Sequence, residues 1–329
     1  MKKKFDPVSF GYVMATGIIS IAFKRLEWPS LSILFLLLAL IGYVILNVRA
    51  CWSFSILMNT VLDPQALFKW FTFSAGTNTL ATRLTMEGWY QSGYWLAVLG
   101  SVSACIFLYW NFFRLFQTVE SIQSISPLWL LKAIACNSVG IAITTLWACG
   151  EISHPLYLVI AVGFWTFGFF IYLLLMSLNM YRMFFLPFEG SDISPAYWTC
   201  MGAAAISVFD ASNIVTLQNV PEFLTSIRHF LQGMILILWL WGTAWLPILC
   251  FMGFWKYISF KMPFVYEPSL WAMVFPLGMY TVASHALPAS ILLPVAPAFV
   301  DTFLGLSIAT WLMSASLLLF KQEKEKDTM

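Results

Sequence analysis

Ionisable side chains are rare in this sequence, and several of them lie at matching positions in long apolar stretches. Only 10% of the 329 residues are charged. Two lysines, Lys69 and Lys132, precede the central glycine of such a stretch by seven or eight residues. Four ionisable residues follow their glycines by the same distance, about two helical turns: Lys24, Arg83, Asp210 and His285. These positions predict a path with weakly positive inner and outer mouths, which attract small anions without binding them tightly.

A second interpretation of these residues needs no path. Lys and Arg side chains near helix ends often extend to the membrane interface. Asp210 could then neutralise Arg83 across a helix contact. Both interpretations are open on the sequence alone.

An uncharged constriction is predicted between the two mouths. One turn before each glycine, on nearly the same helix face, the sequence has Met14, Phe73, Asn137, Thr199 and Phe275. Two phenylalanines and a methionine at one level would form a hydrophobic constriction, which can gate a pore by excluding water. The proline that follows Phe275 removes a backbone donor and bends a helix. Ordinary packing of aromatic side chains in a helical core would give the same pattern.

Enzyme, metal and cofactor chemistry has no matching sequence motif. The three histidines form no HExxH pair, no serine lies in a GxSxG sequence, and no glycine pattern is typical of nucleotide binding. The six cysteines lack the spacing of metal ligands. We therefore predict no enzyme activity, no cofactor and no metal ion. An intramembrane enzyme acting on a lipid is a less favoured alternative.

Membrane-spanning helices are the elements that must position these residues. Hydrophobic residues make up 60% of the chain, against ~45–50% in an average soluble domain, which excludes a nucleic-acid-binding protein and a secreted disulfide scaffold. A helix needs ~20 residues to cross a bilayer. The sequence thus predicts an all-α polytopic protein of the lipid bilayer, with ten spans near residues 8–23, 30–48, 68–85, 94–113, 128–148, 156–180, 195–215, 230–254, 269–287 and 297–320.

The basic residues predict which side of the membrane is cytoplasmic. With ten spans both termini lie on one side, and thirteen of the seventeen Lys and Arg residues fall on that side. Cytoplasmic segments carry such an excess of positive charge. We therefore predict cytoplasmic termini in a multi-pass protein of the cell membrane. Residues 1–329 would form a single transmembrane domain, with short charged tails at 1–7 and 321–329.

The ten predicted spans alternate in character. Even-numbered spans are rich in large apolar residues, whereas odd-numbered spans carry small and hydroxylated residues, which let helices approach closely. A glycine lies in the middle of each odd span, at nearly regular separations. Such a weak repeat predicts five helical hairpins around a central pore with pseudo-fivefold symmetry. The predicted pore-lining residues are Thr16, Gly17, Gly76, Thr77, Asn137, Gly140, Thr199, Gly202, Pro276 and Gly278.

Three segments resemble the tellurite-resistance/dicarboxylate transporter family, which includes malate permeases, sulfite exporters and plant slow-type anion channels. The most specific is residues 271–284, which contain Phe275-Pro276-Leu277-Gly278 and resemble the ninth helix of that family. Residues 14–20 and 194–206 resemble its first and seventh helices. The resemblance implies ten helices in five hairpins around a central pore, usually in a homotrimer. It also implies that Phe275 occludes the pore as its gate.

These observations predict a transporter or channel for small anions. Candidate substrates are C4-dicarboxylates such as malate and inorganic anions such as chloride, nitrate, sulfite and tellurite. Phe275, Phe73 and Met14 would form the constriction. One alternative is a proton-coupled dicarboxylate carrier that uses Asp210 and His285 as proton sites. Another is a non-transporting membrane sensor, in which side chains would fill the centre.

Overall fold

Ten long helices make up most of the part of the protein that the structure describes. The computed structural model describes residues 5–53, 64–117, 121–263 and 265–327, and these ranges contain no β-strand. The all-α polytopic class predicted from the sequence is therefore confirmed. In chain order the helices are α1 (Gly11–Arg25), α2 (Pro29–Trp52), α3 (Phe71–Met86), α4 (Tyr90–Gln117), α5 (Leu131–Ala148), α6 (Leu156–Phe185), α7 (Thr199–Thr216), α8 (Glu222–Phe254), α9 (Trp271–Ile291) and α10 (Pro297–Asp327).

The odd-numbered helices are inner helices and the even-numbered ones are outer helices. In each span we compare the most apolar stretch of 18 residues. In the spans that contain α1, α5 and α9, 78–89% of this stretch is buried, whereas the value is 17–39% for the outer helices. Nearly every residue of α3 and α7 is buried as well. Large apolar side chains cover the exposed faces of the outer helices, which suits contact with lipid. The predicted alternation of inner and outer spans agrees with this burial.

Eight of the helices in the described part of the chain are long and apolar enough to cross a membrane. The sequence predicts ten such spans; α3 and α7, which correspond to the predicted spans 68–85 and 195–215, are not among the eight. Helix α3 has 16 residues, and Thr, Asn and Arg occupy many of its positions. Because α3 and α7 are enclosed by other helices, they need no apolar surface for lipid.

Each inner helix begins after a short 3₁₀ turn. Four of the five turns start with proline, whose restricted φ angle suits the first position of a helix. Two hydroxyls tie these turns to other inner helices: Thr72 Oγ1 donates to the carbonyl of Pro7 at 2.8 Å, and Thr199 Oγ1 donates to the carbonyl of Pro127 at 2.8 Å. The starts of α1 and α3 are joined in this way, and so are those of α5 and α7.

The inner helices contact one another in a closed order. Helix α1 packs against α3 and α9, α3 packs against α5, α5 against α7, and α7 against α9. Each outer helix packs on the inner helix that precedes it in the chain, which gives five consecutive helical hairpins. The pseudo-fivefold symmetry itself stays a prediction.

The central glycines lie at contacts between helices. A Cβ atom on Gly202 would lie 2.7 Å from Pro276 Cγ on α9, and one on Gly278 would lie 2.8 Å from Ile18 Cγ2 on α1. Gly17 faces α3, Gly76 faces α1, and Gly140 faces α7. The glycines therefore allow inner helices to approach one another closely.

The predicted cytoplasmic tails lie partly outside the described residues. Residues 1–4, which include Lys2, Lys3 and Lys4, and residues 328–329 fall outside the described ranges. Helix α10 continues through most of the second predicted tail to Asp327. The single domain at 1–329, the tails and the cytoplasmic orientation of the termini stay predictions.

Candidate functional site

Three cavities follow one another along the inner helices. The first is lined by the N-terminal turns of these helices, the second by their middle turns, and the third by the C-terminal turns of four of them. We call them the inner chamber, the outer chamber and the wide vestibule, and their succession the central path.

The inner chamber has a volume of about 10 Å³, which is room for about one water molecule. All five inner helices contribute residues from their first or second turn, among them Met14, Thr72, Ile134, Thr199 and Phe275. The chamber therefore lies where the N-terminal ends of the inner helices meet.

Two of the three residues predicted for the constriction line this chamber. Phe275 is 3% exposed and Met14 is 2% exposed. Phe73 lies elsewhere: its ring centre is 5.1 Å from that of Phe10 and 6.2 Å from that of Tyr43 on α2. Pro276, which follows Phe275, packs against Gly202 of α7. Phe73 therefore packs against Phe10 and Tyr43 rather than lining the chamber with Phe275 and Met14.

The outer chamber is also about 10 Å³ in volume and shares no lining residue with the inner one. Its polar lining comes from α3 and α5, where Asn78 Nδ2 donates to Ser138 Oγ at 3.0 Å. The hydroxyl of Thr82 is buried and has no hydrogen-bond partner in the described residues. Its apolar lining includes Ile18, Phe209 and Met279. The two chambers are therefore separate cavities, one beside Met14 and the other beside Ile18 on α1.

Most of the hydroxyl and amide groups predicted to line the pore contact outer helices. Thr16 accepts a hydrogen bond from Trp311 of α10, and Thr77 shares one with Tyr43 of α2. Asn137 lies against Gly168 of α6. Thr199 lines the inner chamber, but its hydroxyl donates to the carbonyl of Pro127. The predicted glycines lie at the helix contacts described above rather than on either chamber wall.

The wide vestibule has a volume of about 970 Å³. Its walls are the C-terminal turns of α1, α3, α5 and α7 and the segments that follow α5 and α7. Among the described residues that line it, Arg25 is the only charged one. A space of this size admits a small anion together with several water molecules.

Arg25 has no acidic partner in the described residues. Its Nη2 donates to Asn213 Oδ1 at 3.3 Å, and its guanidinium carbon lies 5.2 Å from the centre of the Phe209 ring. Its Nε is buried and makes no hydrogen bond to any residue in the described ranges. Asn213 and Phe209 belong to α7, which does not adjoin α1 in the order of inner helices. The Arg25 side chain therefore extends across the end of the path.

Lys24 and Arg83, the cations predicted for the outer mouth, share one carboxylate. Glu87 Oε2 lies 2.8 Å from Arg83 Nη1 and 3.2 Å from Lys24 Nζ. The hydrogen bond from Arg83 is the main cause of a lowered pKa at Glu87. Arg83 is fully buried, and it also donates to Ser20 Oγ of α1 and Ser32 Oγ of α2 at 2.8 and 2.7 Å. The sequence interpretation in which Asp210 neutralises Arg83 is therefore wrong, because Glu87 occupies that position.

Asp210 and His285 lie in different surroundings. Asp210 is fully buried, and neither of its carboxylate oxygens has a hydrogen-bond partner in the described residues. It points at Gly140 of α5, so it faces a helix contact. His285 is half-buried and close enough to Arg25 to interact with it electrostatically.

The two lysines predicted for the inner mouth also differ. Lys69 Nζ lies 3.3 Å from Asp6 Oδ2, and both side chains are about one-third exposed. Lys132 is 4% exposed, and its ammonium group lies 4.3 Å from the centre of the Trp129 ring. Neither lysine is among the residues that line the inner chamber.

Several residues on the path are absent from the sequence prediction, namely Thr72, Ile134, Ile18, Thr82 and Arg25. Arg25 follows Gly17 by eight residues, as Asp210 follows Gly202, so the spacing itself contained the signal. No group of three or more His, Cys, Asp or Glu side chains that could hold a metal ion occurs in the residues that the structure describes.

Comparisons with known proteins give a family and several similar membrane proteins. The sequence profile of the SLAC1 family, described as voltage-dependent anion channel, matches residues 4–319. An uncharacterized membrane protein of Mycobacterium tuberculosis is 31% identical over 142 residues, which are 43% of this chain and 72% of that protein. Two uncharacterized transporters of Methanocaldococcus jannaschii are 28% and 27% identical over 57% of this chain, and the matches cover 53% and 54% of their lengths.

Proposed function

Because the chain belongs to the family of voltage-dependent anion channels, we propose that it conducts small anions through the central path between its inner helices. Membership of this family supports anion transport across a membrane. The archaeal relatives are named as transporters. The proposal also includes a gate and a pseudo-fivefold pore.

The position of the inner chamber is the observation that supports transport of anions rather than cations. The first turns of all five inner helices meet there. Each helix N-terminus carries the equivalent of about half a positive charge, and no acidic residue occurs among the described residues that line the chamber. The five helix ends together favour an anion over a cation. Because these helix ends attract the anion without a charged side chain, the anion can also leave the chamber.

Phe275 is the proposed gate. Its side chain occupies the chamber with Met14, and a cavity of about 10 Å³ has room for about one water molecule. A hydrated anion does not fit while the phenyl ring stays there. Because Pro276 follows directly and contacts Gly202, a shift of α9 against α7 would move the ring with it.

The gate is tested by anion flux into proteoliposomes. We expect Phe275→Ala to raise chloride or nitrate flux by at least tenfold, because the substitution opens the inner chamber. Phe73→Ala removes the same number of atoms from a ring that lines neither chamber, and we expect flux close to that of the unchanged protein. Equal flux for both variants would disprove the gate assignment.

The small volumes of the two chambers, and the absence of charged residues among the described residues that line them, favour small anions as substrates. Chloride, nitrate, sulfite, tellurite and malate are candidates. The lining of Ile, Met and Phe side chains in the outer chamber favours anions that lose part of their hydration shell easily. Measuring the flux of each of these anions into proteoliposomes ranks them as substrates.

Asp210 favours a second candidate function, a proton-coupled dicarboxylate carrier. Its carboxyl group is fully buried without a partner in the described residues. Such a group is costly to keep charged inside a membrane, and a bound proton removes the charge. His285, near Arg25, would be the second proton site. In this case Asp210→Asn abolishes the pH dependence of malate uptake; channel-like conduction predicts that the pH dependence stays.

A further inference from the structure

The wide vestibule combines a large volume with a single cation. Among the described residues that line this cavity of about 970 Å³, Arg25 alone is charged. The vestibule is formed by C-terminal turns of inner helices, which carry the negative ends of their dipoles. A small anion in this space therefore has one favourable ionic contact, and that contact is Arg25.

The hydrogen bonds of Arg25 leave capacity for a ligand. Within the described residues its guanidinium makes one hydrogen bond, the long 3.3 Å contact to Asn213, and it has no carboxylate within ion-pair distance. A guanidinium group has five N–H donors. The neighbouring Lys24 differs, because Glu87 neutralises its charge.

The position of Arg25 places it on the route of any ion that uses the path. Its side chain reaches from α1 to Asn213 and Phe209 of α7, across the end of the ring of inner helices. Phe209 also lines the outer chamber. The guanidinium therefore lies where the vestibule meets the chamber.

We propose that Arg25 forms an anion-binding site at the base of the wide vestibule, which takes anions with two oxygen acceptors, such as carboxylates and nitrate. The planar guanidinium fork matches two such oxygens, whereas a halide offers one centre. The bound anion replaces the contact with Asn213. The site extends the proposed transport function by a binding step, but binding to it is measurable without transport.

The test compares three variants of the full-length protein in detergent. Binding of radiolabelled malate is measured by equilibrium dialysis, with nitrate and chloride as competitors. We expect Arg25→Gln to raise the Kd for malate at least tenfold. Arg25→Lys should give an intermediate Kd, because it keeps the charge and loses the fork. Lys24→Gln removes one positive charge at the adjacent position and should change the Kd less than twofold. Nitrate should compete more strongly than chloride.

The possible results separate the site from the transport function. Malate binding that is unchanged in both Arg25 variants, or lost equally in Lys24→Gln, overturns the site. Anion flux in proteoliposomes with an unchanged KM in Arg25→Lys also overturns it and leaves the transport function standing. Binding that depends on Arg25, together with a Phe275→Ala variant that shows no measurable anion flux, upholds the site and overturns the transport function.

Discussion

Three cations at the ends of α1 and α3 have two different roles in the structure. Arg83 and Lys24 share Glu87, whereas Arg25 faces the wide vestibule without an acidic partner in the described residues. Lys24 and Arg25 are adjacent in the sequence, and adjacent helix positions point about 100° apart. Which of them faces the path therefore depends on the rotation of α1, and a single sequence does not reveal that rotation.

Arg83 joins three helices, and we expect its loss to destabilise the protein. It is fully buried and donates to Ser20 of α1, Ser32 of α2 and Glu87 after α3. A hydrogen bond to a charged group contributes about 1.5–3 kcal/mol, and the loss of Arg83 removes three of them. Arg83→Met should therefore lower the midpoint of thermal unfolding in detergent clearly.

Lys24→Met is the matched control for Arg83→Met. Lys24 contacts the same carboxylate, but its side chain is 35% exposed, and exposed ion pairs contribute about 0–1 kcal/mol. We expect the midpoint of thermal unfolding of the Lys24→Met variant to stay close to that of the unchanged protein. Equal midpoints for the two variants would show that Arg83 does not join the helices in the way described.

At the scale of the helices, the sequence predicts which helices are inner and which are outer. Long runs of large apolar residues indicate lipid contact, and small and hydroxylated residues indicate close packing. The face that each helix turns to the path does not follow from the position of its glycine, because those glycines face neighbouring helices. Alignment of the inner helices on their glycines predicts Phe73 and Asn137 on the path, whereas these residues lie toward α2 and α6.

The contact of α7 with α9 gives a prediction at this scale. Gly202 lies against Pro276, and the proline ring is too rigid to move aside easily. Gly202→Ala forces extra volume into this contact, and such overpacking costs about 1–3 kcal/mol. We expect a lower midpoint of thermal unfolding and altered anion flux, because Phe275 precedes the displaced proline.

Gly233→Ala on α8 serves as the control for Gly202→Ala. A Cβ atom at Gly233 meets no other atom within 4 Å, and alanine is the better helix former. We expect an unchanged or higher midpoint for this variant. A midpoint for Gly202→Ala as high as that of Gly233→Ala would contradict the close contact between α7 and α9.

At the scale of the whole molecule, charge distribution predicts the orientation in the membrane. Thirteen of the seventeen basic residues lie on one predicted side, which places the inner chamber toward the cytoplasm and the wide vestibule outside. In a variant without native cysteines, we expect Glu151→Cys, after α5, to react with a membrane-impermeant maleimide in intact cells. Ser121→Cys, before α5, should react only after the membrane is permeabilised. The reverse pattern would show that the protein has the opposite orientation.

Assembly is a second property of the whole molecule. The resemblance implies a homotrimer, and the outer helices expose many large apolar side chains, which suit contact with lipid or with further copies of the chain. We propose the trimer on this basis. Native mass spectrometry from detergent should give a mass three times that of the 37.4 kDa chain.

The reversal potential of the Phe275→Ala current is the most direct test of anion conduction through the central path. A purified sample in a planar bilayer separates two potassium chloride solutions of different concentration. Because five helix N-termini meet at the inner chamber, we predict a current that reverses close to the equilibrium potential of chloride. A current that reverses close to the equilibrium potential of potassium, or no current at all, would contradict the account.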